Sequence, residues 1–199
     1  MSWIRPTRRI HLYLALFFAP WLLMYGLSAI VLNHRPFFVR YYDGHWFDWE
    51  LEQELPYQAD WPDDAEPKEL GRKVLDGLHL TGAYWAQRRG NGETLTVHRN
   101  DPIRPRRIVV RPQDGTLSVE RQVFRIPGFL LRLHTRRGYH HDYLADDAWA
   151  LSIDVLIVCM IFWVISGVWM WMRMSSVRRW GGASLVIGCA LFVFFLVTI

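Results

Sequence analysis

Several residues that could do chemistry stand at the ends of apolar runs or inside them. His34 closes one such run in "SAIVLNHR". His134 precedes another in "LLRLHTRRG", with His140 and His141 just beyond, and Asp154 falls some nine residues into the run that follows. An ionisable side chain at a membrane-spanning stretch is a functional-site hypothesis by default. An interfacial imidazole can bind a metal, or it can simply hydrogen-bond a headgroup or cap a helix. A carboxylate inside a span costs roughly 2.5–3.5 kcal/mol if central, so Asp154 is expected to face other helices. There it would orient a histidine or carry a proton. One reading groups His34, His134 and Asp154 as a copper or zinc set. Against it, no Cys or Met of the kind that suits copper(I) stands at that end of the spans. Arg35, Arg132, Arg136 and Arg137 supply cations close by in sequence.

These residues need apolar elements to hold them. The chain of 199 residues is 51 % hydrophobic with a net charge of +4, and most of the apolar residues fall in three stretches, 10–32, 148–172 and 183–199. A span needs about 20 apolar residues to cross a core of roughly 30 Å. The first two stretches reach that length, and the third does so only with help from Trp180, Gly181 and Gly182. The first is too long for a signal peptide and lacks a convincing cleavage site, so an uncleaved anchor is expected. Arg5, Arg8 and Arg9 precede the first stretch. Arg173, Arg178 and Arg179 fill the connection between the second and third. The positive-inside rule puts both sets on the cytoplasmic side and residues 33–147 outside. Trp3, Trp169, Trp171 and Trp180 then suit an inner aromatic belt, and Phe37, Phe38, Tyr41 and Tyr42 an outer one. Cys159 and Cys189 lie inside apolar runs and offer no disulfide framework. The basic charge is accounted for by lipid headgroups, and no nucleic-acid motif is present.

The segment between the spans has its own pattern. "FFVRYY" and "HWFDWEL" flank Asp43-Gly44, which suggests a hairpin. The acidic run containing Asp63, Asp64 and Glu66 reads as a solvated linker. Pro67 opens a predicted helix with Leu70, Val74, Leu75 and Leu78 on one face and Gly82 beyond its end. Strand-like pieces follow, two pairs of them separated by Asn91-Gly92 and Asp114-Gly115. One helix before an antiparallel meander makes a small α+β module. His45, His79 and His98 in this region match no metal-ligand spacing.

In order and spacing, "RRIHLYLAL", "LSAIVLNH", "RLHTRRG", Asp154 and "SGVWMW" resemble the PepSY-associated transmembrane helix proteins, and residues 67–125 resemble a PepSY module. The resemblance covers roughly residues 8–174. Ala29 departs from the family's usual glycine, as do Arg136 and Arg137. The third span lies outside the family's core pattern. The implied fold is a membrane α-helical protein with three transmembrane helices and a small periplasmic α+β PepSY-like module. The divisions are 1–33 for the cytoplasmic tip and first span and 34–147 for the periplasmic segment, which ends in an interfacial stretch, 126–147. The second span is 148–173, and 174–199 holds the loop and third span.

Some larger relatives are membrane siderophore reductases that carry haem b between histidines. The resemblance therefore implies a small inner-membrane electron-transfer subunit, serving a periplasmic acceptor such as a ferric chelate. His34 and His134 would be the axial ligands, brought to one depth by a helix over "PGFLLRLH" lying on the interface. Arg35, Arg132 and Arg136 would face the haem propionates. Asp154 would support the site. His11, 23 residues before His34, would sit at the other face of the membrane, about 34 Å away on a straight helix. A haem there would need a homodimer or another subunit to complete it. Without a nicotinamide or flavin motif, the electron donor would be a quinone or a protein. The alternative is an accessory subunit with no redox role, anchored in the lipid and docking a periplasmic enzyme or transporter.

Overall fold

The structure is a computed structural model that describes residues 4–58, 61–62, 64–90, 93–136 and 138–199. Expectations that rest on Trp3, Asp63, Asn91-Gly92 and Arg137 lie outside the described residues. Among the described residues three helices are long and apolar enough to cross a membrane: α1 (Ile4–Asn33), α5 (Leu144–Arg173) and the stretch Ser175–Thr198. The last consists of a short 3-10 turn and α6 (Arg178–Thr198). The remaining helices are α2 (Arg35–Tyr41), α3 (Pro67–Gly77) and α4 (Ile126–Thr135). The strands are β1 (Trp49–Pro56), β2 (Tyr84–Arg89), β3 (Thr94–Arg99), β4 (Arg106–Arg111) and β5 (Thr116–Gln122). The chain is thus a three-span membrane protein with a small α+β module between its first two spans.

Two compact units divide the chain: residues 1–20 with 153–199, and residues 21–152. The second unit contains the module, an antiparallel sheet in the order β1-β5-β4-β3-β2 with α3 on one face. The core follows from alternation along the strands. Val97, Ile108 and Val119 form one cross-strand row, and Leu95, Val110 and Leu117 the next. Against both rows α3 lays Leu70, Val74 and Leu75, which share a helical face. Its approach is close: a Cβ on Gly71 would lie 2.8 Å from the Cβ of Ala86 on β2. The β4–β5 hairpin turns through Asp114-Gly115, where Gly115 takes φ +61°.

Two expectations need correction. "FFVRYY" is not a strand and makes no hairpin with "HWFDWEL". It belongs to α2, which starts one residue after α1 ends. Pro36 suits a first helical turn, where no backbone donor is needed. Asp43 (φ 50°) and Gly44 (φ 82°) form a left-handed turn that closes this helix, with the Gly44 N–H donating to Val39 O. "WELEQELP" is an edge strand whose partner is β5, far along the chain. The sheet therefore extends beyond the stretch 67–125.

On the sheet face away from α3, His98 stacks on Trp85 with ring centroids 4.1 Å apart. Burial pushes its imidazole down to about 4, so it stays neutral at ordinary pH, as a packing residue should.

In the other unit, Phe18 is fully buried against the edge of Trp163, and Trp171 packs on Gly181 at the start of α6. Arg173 lies over the Trp169 ring. The two cysteines are free.

Candidate functional site

Two histidines are oriented by serines on a facing helix. In the unit of residues 21–152, Ser28 is completely buried on α1 and its Oγ lies 2.6 Å from His134 Nδ1 on α4. The Ser28 hydroxyl also donates to Tyr25 O at 2.8 Å. A hydroxyl has one proton, so the proton of the Ser28–His134 bond belongs to Nδ1. The lone pair of the neutral ring then sits on Nε2. Tyr25 packs edge-on against the same ring at 5.2 Å.

In the unit of residues 1–20 and 153–199 the arrangement recurs. His11 Nδ1 lies 2.9 Å from Ser166 Oγ, and the Ser166 hydroxyl donates to Trp163 O at 2.9 Å. Here too the proton falls on Nδ1 and the lone pair on Nε2. The imidazole stacks on Trp163, ring centroids 4.9 Å apart, and Gly167 leaves room for it. The small residues of "LSAI" and "ISG" thus each hold an imidazole, one from "RLHT" and one from "RRIH". Sequence reasoning singled out the histidines and the motifs "LSAIVLNH" and "SGVWMW" that contain these serines, but did not pair them. The partners are 106 and 155 positions apart.

His34 is exposed, at the N-cap of α2, with its backbone N–H bonded to Ile30 O. It lies six residues beyond Ser28, about 9 Å along the helix and about 240° around it. Ser28, which holds the His134 ring, and His34 therefore stand at different heights along the chain and at different angles around it. Each serine-held imidazole fits as a single ligand with its other ring nitrogen fixed, as metal-binding histidines require.

The three arginines have partners within the chain. Arg132 on α4 and Arg136, the residue just past its end, line one cleft that His134 does not line. Arg132 donates from Nε to Pro102 O at 3.1 Å and from Nη1 to Gln122 Oε1 at 2.5 Å. Its Nη2 is buried with no hydrogen-bond partner. Burial lowers its pKa, opposed only in part by the Asp101 carboxylate. Arg136 is ion-paired with Asp146 and lies over the Trp149 ring. Arg35 lies over Trp46 at 5.8 Å. Asp154 belongs to the other compact unit, on α5. Among the described residues no group of three or more His, Cys, Asp or Glu is arranged to hold a metal ion.

Arg132 and Arg136 instead line a cleft of about 450 Å³ together with Trp85, Asn100, Asp101, His140 and His141. Its floor is Asp146, a first-turn acid of α5 that is 1 % exposed. His141 Nδ1 lies 3.1 Å from Asp146 Oδ2, without the alignment of a hydrogen bond, while Asn100 Nδ2 donates to His141 Nε2 at 3.2 Å. Asp101 is fully engaged, with Oδ1 accepting from the Ile103 and Arg104 N–H groups and Oδ2 from Arg99. Burial alone would raise its pKa, but these donors outweigh it and hold the carboxyl below the usual range. Sequence reasoning missed Asn100, Asp101 and Asp146 as site residues. Only Asp146 carried a signal, as an acid opening an apolar helix.

A family model described as the PepSY-associated TM region matches residues 8–198. No curated protein and no solved structure matches the chain.

Proposed function

Because the chain belongs to the PepSY-associated TM region family and is anchored in the membrane by three apolar helices, we propose that it is a small haem b electron-transfer subunit. The arginine-rich flanks support a reading with the N-terminus in the cytoplasm and the α+β module in the periplasm of a bacterial inner membrane. The observation that supports the redox reading is the pair of imidazoles, His134 and His11, each held through Nδ1 by a buried serine with its Nε2 lone pair available. When bound, the haem supplies one-electron transfer. The residues of this chain orient the ligating rings, fix their tautomer and exclude water around them. With one imidazole from this chain at each site, another chain, a second copy or a partner subunit, would complete the hold on a haem there. The acceptor is a ferric chelate or a periplasmic enzyme.

An absorption spectrum of the full chain, purified after expression with ample haem, tests this. A Soret band and a sharp reduced α-band are expected. His134→Ala and His11→Ala should each lower the haem content, and the double variant should remove it. His34→Ala should leave it unchanged. A colourless protein overturns the reading.

A second reading is favoured by β1, an edge strand that is exposed almost throughout and carries Leu51 at 61 % exposure. Edge strands of this kind pair with other chains. The module would then dock a periplasmic enzyme or transporter, with the histidines as helix clamps. In that case Leu51→Lys should release a stoichiometric partner from the protein extracted in mild detergent, with the fold intact. Unchanged co-purification would remove this reading.

A further inference from the structure

The cleft beside α4 is separate from the serine-held histidines, since neither Ser28 nor His134 lines it. Its charge is unbalanced. The acceptors of Asp101 and the carboxylate of Asp146 are already committed, the first to Arg99 and two backbone N–H groups, the second to Arg136. Arg132 has only neutral partners, Pro102 O and Gln122 Oε1, and one buried donor with none. A half-buried guanidinium that bonds no carboxylate directly, with Asp101 acting on it only from a distance, is an unusual thing to retain, because desolvation is offset only by pairing. His140 adds a further polar group at the rim. Its Nδ1 donates to Gly138 O, which leaves Nε2 facing outward from an exposed ring.

The cleft also has a fixed depth. One wall is the last turn of α4, with Arg132, Thr135 and Arg136, and its floor is the first turn of a transmembrane helix. Leu144, which starts that helix, is 83 % exposed, and Tyr139 is 58 % exposed. Apolar and aromatic side chains so placed, beside a polar cleft at the end of a span, mark the headgroup layer. The anions available there are lipid phosphates, and basic pockets at that level bind them.

We propose that this cleft is a site for the phosphate of an anionic membrane lipid, with Arg132 as its principal cation and Trp85, Pro102 and Pro105 forming an apolar wall for the glycerol. One cation near the membrane surface contributes about 1 kcal/mol toward an anionic lipid, which is about a fivefold preference. The full chain in detergent, supplied with phosphatidylglycerol or phosphatidylcholine and examined by native mass spectrometry, should retain phosphatidylglycerol about fivefold more strongly.

Arg132→Gln should abolish the preference, but it also removes bonds to Pro102 and Gln122. Thr135→Glu is the cleaner variant. Thr135 is exposed on the rim and bonds only within its own helix, to Leu131 O. Its replacement should eliminate the preference at unchanged melting temperature, and Thr135→Gln should keep it. Equal retention of the two lipids overturns the proposal, as does undiminished phosphatidylglycerol binding by Thr135→Glu. Inorganic phosphate displacing the lipid at equal concentration would assign the site to a free anion and overturn the lipid source.

Discussion

Arg136→Met should destabilise the segment that joins the α+β module to α5 by about 3–5 kcal/mol, the usual cost of removing one partner from a buried ion pair. The asymmetry of the pair explains the size. The Asp146 side chain is 2 % exposed and that of Arg136 19 %. Truncating the arginine therefore leaves a desolvated carboxylate with His141 near Oδ2 but poorly aligned to bond it. The helix N-terminus at Asp146 recovers part of the loss, since backbone N–H groups there favour a negative charge. Replacing both members, Arg136→Met with Asp146→Leu, should cost much less than the single change, because no buried charge is then left uncompensated. Hydrogen exchange over residues 138–147 of the full chain in detergent reads the difference. Fast exchange in the single variant and near-normal protection in the double are expected. Equal protection in the single variant and the parent would mean that the pair does not hold this segment.

The sequence made the spans plain because a bilayer demands one thing of a helix, a long apolar run, and that demand is local. The helix α3 and the β4–β5 hairpin were legible for the same reason: helical spacing of Leu70, Val74 and Leu75, and the Asp114-Gly115 dipeptide between two strands. What failed was non-local. Nothing in "WELEQELP" names its partner, since β1 pairs with a strand far along the chain, from Pro56 opposite Thr116 to Trp49 opposite Gln122. The aromatic run "FFVRYY" suited a strand by propensity, yet Pro36 and the continuation from α1 made it helical.

The candidate site shows the same division. His134 and His11 were legible as histidines at spans, and Ser28 and Ser166 as small residues, but which serine meets which imidazole is a tertiary fact. The pairing of His34 with His134 rested on depth alone, which carries no information on direction. Six residues past Ser28, His34 has turned to another face of α1. Direction was available within α4, where spacing of two sends Arg132 and His134 to opposite faces.

Ile108→Ala should cost the module about 2–5 kcal/mol, a large share of the 5–15 kcal/mol typical of a domain. Ile108 is fully buried at the centre of β4. Val97 and Val119 flank it in register on β3 and β5, and it belongs to the cluster covered by α3, so a cavity there is walled on every side and can collapse little. Leu51→Ala on the exposed edge strand is the control, expected within about 0.5 kcal/mol of the parent. Denaturant titration of the full chain, followed by the amide exchange of β3 to β5, separates the two. The same substitution bears on the cleft, because the sheet carries the loop from Asn100 to Pro105 and Pro102 O is one of the acceptors that hold Arg132. A loosened sheet frees that loop only in the fraction of molecules that open. Ile108→Ala should therefore weaken phosphatidylglycerol retention steeply as its own melting temperature is approached, whereas Thr135→Glu should weaken it at every temperature. If the core variant lost the lipid well below its melting point, the site would depend on sheet geometry itself rather than on the charge that the loop and α4 present.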